Sequence, residues 1–112
     1  MNATAPQTLR LSEKHRAMVQ NLLARYLPGV EAWVYGSRAR GTAKPWSDLD
    51  LVVFAGPGQK NAVAELREAF EESDLPFRVD LFVWDEIPET FKENIRKQHI
   101  VLTRGAVAPE QQ

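Results

Sequence analysis

The chain has 112 residues, no cysteine, a formal net charge of −1 and 44% hydrophobic residues. That length and composition suit one small domain with a real core, residues 1–112, with an ordered part of about 9–104. The missing cysteines exclude disulfides and cysteine-held zinc, and the near-zero charge excludes a global basic field, so no direct nucleic-acid binding is expected.

Residues 1–8 are polar and contain Pro6, which predicts a disordered tail without a signal-peptide core. Ser12 is placed to cap a helix. His15, Met18, Val19, Leu22, Leu23 and Tyr26 then recur at helical spacing and form one apolar stripe, ended by Pro28 and Gly29. Ala32 to Tyr35 is a short apolar run suited to a buried strand. Gly36 stops it and permits a sharp turn. Ser37 stands where a basic helical turn begins, with free N–H groups of the kind that bind phosphate. Gly41 to Pro45 is a loop. From about Leu49 to Phe54 a second strand turns Leu49, Leu51 and Val53 to one face.

Gly56-Pro57-Gly58 reads as a plain turn. Ala62, Val63, Leu66, Ala69 and Phe70 mark a second long helix, broken at Leu75-Pro76. Arg78 to Trp84 alternates as a third strand, with Val79, Leu81 and Val83 opposite Arg78, Asp80, Phe82 and Trp84. Asp85 and Pro88 signal a last helix that buries Phe91 and Ile95, with Ile87 as a staple. Ile100 to Leu102 fits a short edge strand, and fraying is expected from Gly105. The sum is an α/β domain: a small mixed sheet of three to four strands with helices packed on one face. No apolar run approaches the ~20 residues of a membrane span, so no membrane association is expected and a cytoplasmic location fits.

Asp48 and Asp50 are two apart and project to one face of a strand. Two carboxylates side by side repel, and Mg²⁺, a hard cation shared with substrate phosphates, suits them. The competing reading is a pair of strand-entry acids at the surface. Two ligands do not complete a shell, so a third acid on a neighbouring strand is expected. Asp80 is the candidate, standing in the apolar run V-D-L-F-V. It is either that ligand or a salt-bridged surface acid, with Arg78 as partner.

Gly36 to Gly41 has the spacing of a phosphate loop, but Thr42-Ala43 follows where Lys-Ser/Thr is needed, which speaks against a P-loop. Arg38 and Arg40 either screen phosphate charge or lie on a solvated helix face. Trp46 either stacks on a base or partner or covers its loop. His15 and His99 are read as structural. Ser12, Ser47 and Ser73 lack visible His and acid partners, which leaves a serine hydrolase little support.

The stretch G-S-R-A-R-G-T-A-K-P-W-S-D-L-D-L-V-V, residues 36 to 53, resembles the signature of minimal nucleotidyltransferases of the DNA polymerase beta superfamily. The match falls on Gly36, Ser37, Ala39, Gly41, Ser47, Asp48 and Asp50. Asp80 in V-D-L matches the third carboxylate in kind and approximate position, and the likeness covers about residues 12 to 103. The resemblance implies a DNA polymerase beta-like nucleotidyltransferase fold and transfer of a nucleoside monophosphate, AMP from ATP, with release of pyrophosphate. By that likeness Asp48, Asp50 and Asp80 are catalytic and bind two Mg²⁺ ions. Gly36, Ser37, Arg38 and Ser47 are the expected phosphate-binding residues.

Larger members of this superfamily add a domain that grips the acceptor, and this chain has no room for one. The resemblance therefore implies an acceptor brought by a partner, in a homo- or hetero-oligomer. Stand-alone domains of this kind pair, as antitoxins, with all-helical HEPN-type toxins. The competing classes are an inactive binding module that neutralises a partner by contact, and a transferase acting on a small hydroxylated substrate.

Overall fold

The computed structural model describes residues 9–105, and the expected tail over residues 1–8 and fraying beyond Gly105 lie outside the described residues. Ser12 caps the first helix as its position predicts: its Oγ accepts the His15 N–H at 3.2 Å. That helix, α1, runs Glu13–Tyr26 and buries Val19 and Leu23. β1 spans Ala32–Tyr35, and the basic turn after Gly36 is a four-residue helix, α2, Ser37–Arg40. β2 spans Leu49–Val53. The expected Gly-Pro-Gly turn tightens into a 3-10 turn at Pro57–Gln59 and leads into α3, Lys60–Glu72. β3 spans Val79–Val83, α4 spans Glu89–Lys97 and β4 spans Ile100–Thr103.

The four strands form one mixed sheet in the order β3-β2-β1-β4. β1 runs antiparallel to β2 and β4, while β2 and β3 are parallel with α3 as the crossover. β3 and β4 are therefore the edges. The β3 edge is partly covered, because Arg67 on α3 donates from Nε and Nη2 to the Leu81 carbonyl at 3.1 and 2.8 Å.

Strand alternation sorts the sheet into two faces. Val34, Leu51 and Leu81 meet Leu23 of α1 and Leu66 of α3 in the larger core. The helices expected on one face are these two. α4 departs from that expectation: its Ile95 joins Trp33, Tyr35, Val52 and Trp84 in a second cluster on the other face. The aromatic residues of β1 cause this, since Trp33 and Tyr35 alternate with Ala32 and Val34 and need cover of their own. Glu31 is buried beside them, its carboxylate accepting Trp33 Nε1–H at 2.7 Å and the Gly105 N–H at 3.1 Å. No helix among the described residues is long and apolar enough to cross a membrane.

Candidate active site

α4 covers only part of the second face. The rest, where β1 ends and β2 and β3 begin, carries the acids. Gly36 follows β1 with φ 75° and ψ −155°, a backbone state that favours glycine. A Cβ there would collide with the Asp50 carboxylate. Gly36 therefore meets two demands, the turn and the close approach. Its carbonyl accepts Ala39 N–H at 3.1 Å and Arg40 N–H at 3.0 Å, which starts α2 at Ser37. Gly41, at φ 80°, closes that turn by donating its N–H to the Ser37 carbonyl.

Asp50 pairs with Tyr35 across the antiparallel ladder and with Asp80 across the parallel one. Burial and the charges of Asp80 and Asp48 push the Asp50 carboxyl from the usual 3.8 up to about 6, against weaker opposing pulls from Arg40 and Arg78. The Tyr35 phenol is also pushed up, by burial and then by Asp50 and Asp80. Arg78 reaches two of the acids: Nη2 lies 3.1 Å from Asp48 Oδ2, and Nε lies 3.3 Å from Asp80 Oδ1. The Leu49 N–H donates to the Arg78 carbonyl at 2.8 Å, which fastens the starts of β2 and β3 together.

A model of the family described as "Nucleotidyltransferase domain" matches residues 15–103. The chain belongs to this nucleotidyltransferase family. It is 42% identical over 95 residues to the protein named "Probable protein adenylyltransferase MntA" of Haemophilus influenzae, covering 84% of this chain and 83% of that one. A solved structure assigned as a minimal nucleotidyltransferase is 34% identical, with a TM-score of 0.62 over 78% of this chain and 88% of that chain. A chain from a crystal structure of a toxin–antitoxin pair with AMP-PNP shares the fold at 22% identity, with a TM-score of 0.64 over 81% of this chain and 74% of that chain.

Arg38, expected at the phosphates, turns inward. Its side chain is only 4% exposed. Nε and Nη2 donate to the Ser47 carbonyl at 3.1 and 2.7 Å, Nη2 also to the Pro45 carbonyl at 3.1 Å, and Nη1 to the Arg10 carbonyl at 2.6 Å. Its charge sits 4.2 Å from the Phe77 ring. Burial lowers its pKa, and the Asp48 charge opposes that. The reason for the inward turn is the loop over residues 41–47, whose carbonyls lack strand partners and take a five-donor side chain instead. A solvated face does not describe it. Ser47 shapes the same loop, its Oγ accepting the Lys44 N–H at 2.9 Å. Together they deliver Asp48 to the start of β2.

Among the described residues no three carboxylates or imidazoles are already gathered as a metal-binding group. Arg78 stands between Asp48 and Asp80 instead. The donor set still suits a hard divalent ion, because all its oxygens are carboxylate. Asp48, Asp50 and Asp80 are the residues that would hold it.

The remaining candidates sort readily. Trp46 is 71% exposed, so it covers little of its loop. His15 packs edge-on against Phe77 at 5.5 Å, and His99 stacks on Trp33 at 3.7 Å, both structural. Ser73 Oγ donates to the Phe70 carbonyl at 2.7 Å as part of a helix end. The aromatic surface beside the acids was not anticipated from the sequence. Phe82, 39% exposed, lies 5.9 Å from the Phe91 ring, which lies 5.5 Å from Tyr35. The signal for it was the alternation that placed Phe82 on the Asp80 face.

Proposed function

We propose that this chain transfers the AMP group of ATP to a hydroxyl of a partner protein, and that the partner is a HEPN-type toxin silenced by the modification. The observation that carries this reading is the packing of Gly36 on Asp50: the turn suited to phosphate and the acids suited to metal are one structure. Protein adenylyl transfer is also the activity named for the 42% identical relative, and a toxin–antitoxin pair with AMP-PNP provides one of the fold matches.

In this reading Gly36 and Ser37 hold the β- and γ-phosphates through backbone N–H groups and the Ser37 hydroxyl. Ser47 Oγ already accepts from Lys44, which leaves its hydroxyl proton as a donor to the phosphates. Asp48 and Asp50 would hold two Mg²⁺ ions, with Asp80 as a further ligand. Bound Mg²⁺ supplies charge neutralisation on the triphosphate and lowers the pKa of the acceptor hydroxyl. The hydroxyl oxygen bonds to the α-phosphorus, the bond to the α–β bridging oxygen breaks, and pyrophosphate leaves. The hydroxyl proton passes to the Asp80 carboxylate.

Attack in line with departure brings the acceptor from the side opposite Gly36 and Ser37. In the order β3-β2-β1-β4 that side is the β3 edge. A cleft of about 540 Å³ runs there, lined by Arg67, Arg78, Asp80 and Phe82 among others. It is the natural entry for a partner's hydroxyl.

The test is incubation of the purified chain with α-phosphate-labelled ATP, Mg²⁺ and the HEPN-type partner, or a host lysate where that partner is not in hand. A labelled protein is expected, and its absence with the Asp48→Asn, Asp50→Asn double variant. A wild-type chain that binds and silences its partner with no label transferred would move the reading to contact-only neutralisation.

A further inference from the structure

We propose that Arg78 makes the acid cluster selective for the metal–triphosphate complex over the free metal ion. The inference rests on the nucleotidyl-transfer reading for where the triphosphate lies. Its basis is a single guanidinium reaching carboxylates on two strands. Nη2 meets Asp48 Oδ2 at 3.1 Å, ahead of β2, and Nε meets Asp80 Oδ1 at 3.3 Å, on β3. The parallel register makes the double reach possible, since Leu49 faces Val79 and Asp50 faces Asp80. Arg78 thus ties up the two acids that flank Asp50, and these are the oxygens a divalent ion would take.

A free cation entering this cluster must displace the guanidinium into water and gains nothing for it. The metal–triphosphate complex differs. It brings phosphoryl oxygens, which accept the planar guanidinium fork as well as carboxylates do. Arg78 then exchanges acid partners for phosphate partners. Its side chain is 71% exposed, and among the described residues these two are its only ion pairs, so nothing buried blocks the exchange. A lysine is a poorer substitute, because a point charge lacks the two donor edges that span the acids. Arg40 supplies a natural comparison. Its charge lowers the Asp50 pKa through space more than that of Arg78 does, yet it makes no ion pair with any of the three acids.

The experiment is a Mn²⁺ titration of the full chain, read as free Mn²⁺ by electron paramagnetic resonance. It is run without nucleotide and again with α,β-methylene ATP, which cannot release pyrophosphate. Arg78→Gln is expected to bind Mn²⁺ alone about tenfold tighter, the factor for releasing two exposed ion pairs. The same variant should bind Mn²⁺–α,β-methylene ATP more weakly than wild type, and Arg78→Lys should fall between the two. Arg40→Gln should move both affinities clearly less. Equal shifts in the Arg78→Gln and Arg40→Gln variants would reduce the effect to net charge and overturn the proposal. So would an Arg78→Gln variant with wild-type Mn²⁺ affinity. The Asp48→Asn, Asp50→Asn double variant separates the two readings. Undiminished Mn²⁺ binding by it overturns the site itself, whereas loss of binding beside an inert Arg78 overturns only the arginine's role.

Discussion

Asp50 and Asp80 lie side by side in the parallel register of β2 and β3, two acids on adjacent strands facing the same way. Burial of Asp50 and that neighbour raise its pKa from 3.8 to about 6. The folded state therefore binds the Asp50 proton more tightly than the unfolded chain does. Between those two pKa values stability falls as pH rises, and above about 6 the loss is complete. In EDTA, Asp50→Asn should remove this falling component from a plot of Tm against pH. Parallel wild-type and variant curves from pH 4 to 7 would contradict it. Metal–nucleotide binding should weaken as pH drops below about 6, with proton uptake on release, because the metal needs the ionised carboxylate.

Gly36 has no spare room and a left-handed backbone. Gly36→Val forces a side chain against the Asp50 carboxylate, so it should lower Tm and remove ATP binding together. Ser37→Ala deletes one hydroxyl and should leave Tm within about a degree or two while weakening ATP by roughly tenfold or more, the loss of one charge-assisted hydrogen bond. Calorimetric titration with Mg-ATP ranks the two. Equal and negligible losses would place the phosphates elsewhere.

Asp80→Asn keeps size and shape. It should retain Mg-ATP binding through Asp48 and Asp50, yet transfer nucleotide at least ~100-fold more slowly, the low end of general-base effects. In cells it should fail to silence a toxin partner that is controlled by modification. A variant that protects as well as wild type, with no modified partner found, favours contact alone.

Arg38 clasps three backbone carbonyls. Arg38→Leu removes the donors for the Arg10, Pro45 and Ser47 carbonyls and should destabilise the fold by roughly 2–4 kcal/mol, since those groups are left without partners. Arg38→Lys should recover only part of this, because an ammonium cannot span the three acceptors. Urea melts measure both. A fold indifferent to Arg38→Leu would return the residue to the phosphate site.

Phe82 tests the side from which the acceptor enters. Phe82→Ala should leave Mg-ATP affinity unchanged and raise KM for the protein acceptor, with kcat little altered, as expected when uniform binding is removed. A loss of ATP affinity instead would make the ring a base platform.

Much of this was legible because strands announce themselves by alternation. Leu49, Leu51 and Val53 against Asp50 gave both the core face and the acid face of β2, and Val79, Leu81 and Val83 against Asp80 did the same for β3. The Gly36-Ser37 turn was legible for the same local reason, a breaker after an apolar run. Placement of α4 was not. An amphipathic stripe containing Phe91 and Ile95 says that a helix is covered on one side, and nothing about which sheet face covers it. The burial of Arg38 was not legible, because S-R-A-R carries no mark of the loop that folds back over it. Its burial depends on carbonyls up to 28 residues away. Arg78 showed its link to Asp80 through neighbouring position, but its reach to Asp48 follows from strand register, a tertiary fact.

The Arg67 fork on the Leu81 carbonyl has a consequence for the protein in a crowded solution. β3 is an open edge, and open edges recruit other extended chains into mixed sheets and then into precipitate. An edge that receives a partner's hydroxyl has to stay accessible and cannot be buried under a further strand. Arg67 resolves that conflict by occupying the outward carbonyl with a charged side chain from the adjoining helix. The edge remains open to a visitor's side chain while offering its backbone one bond fewer, so the entrance to the site does not double as a seed for aggregation.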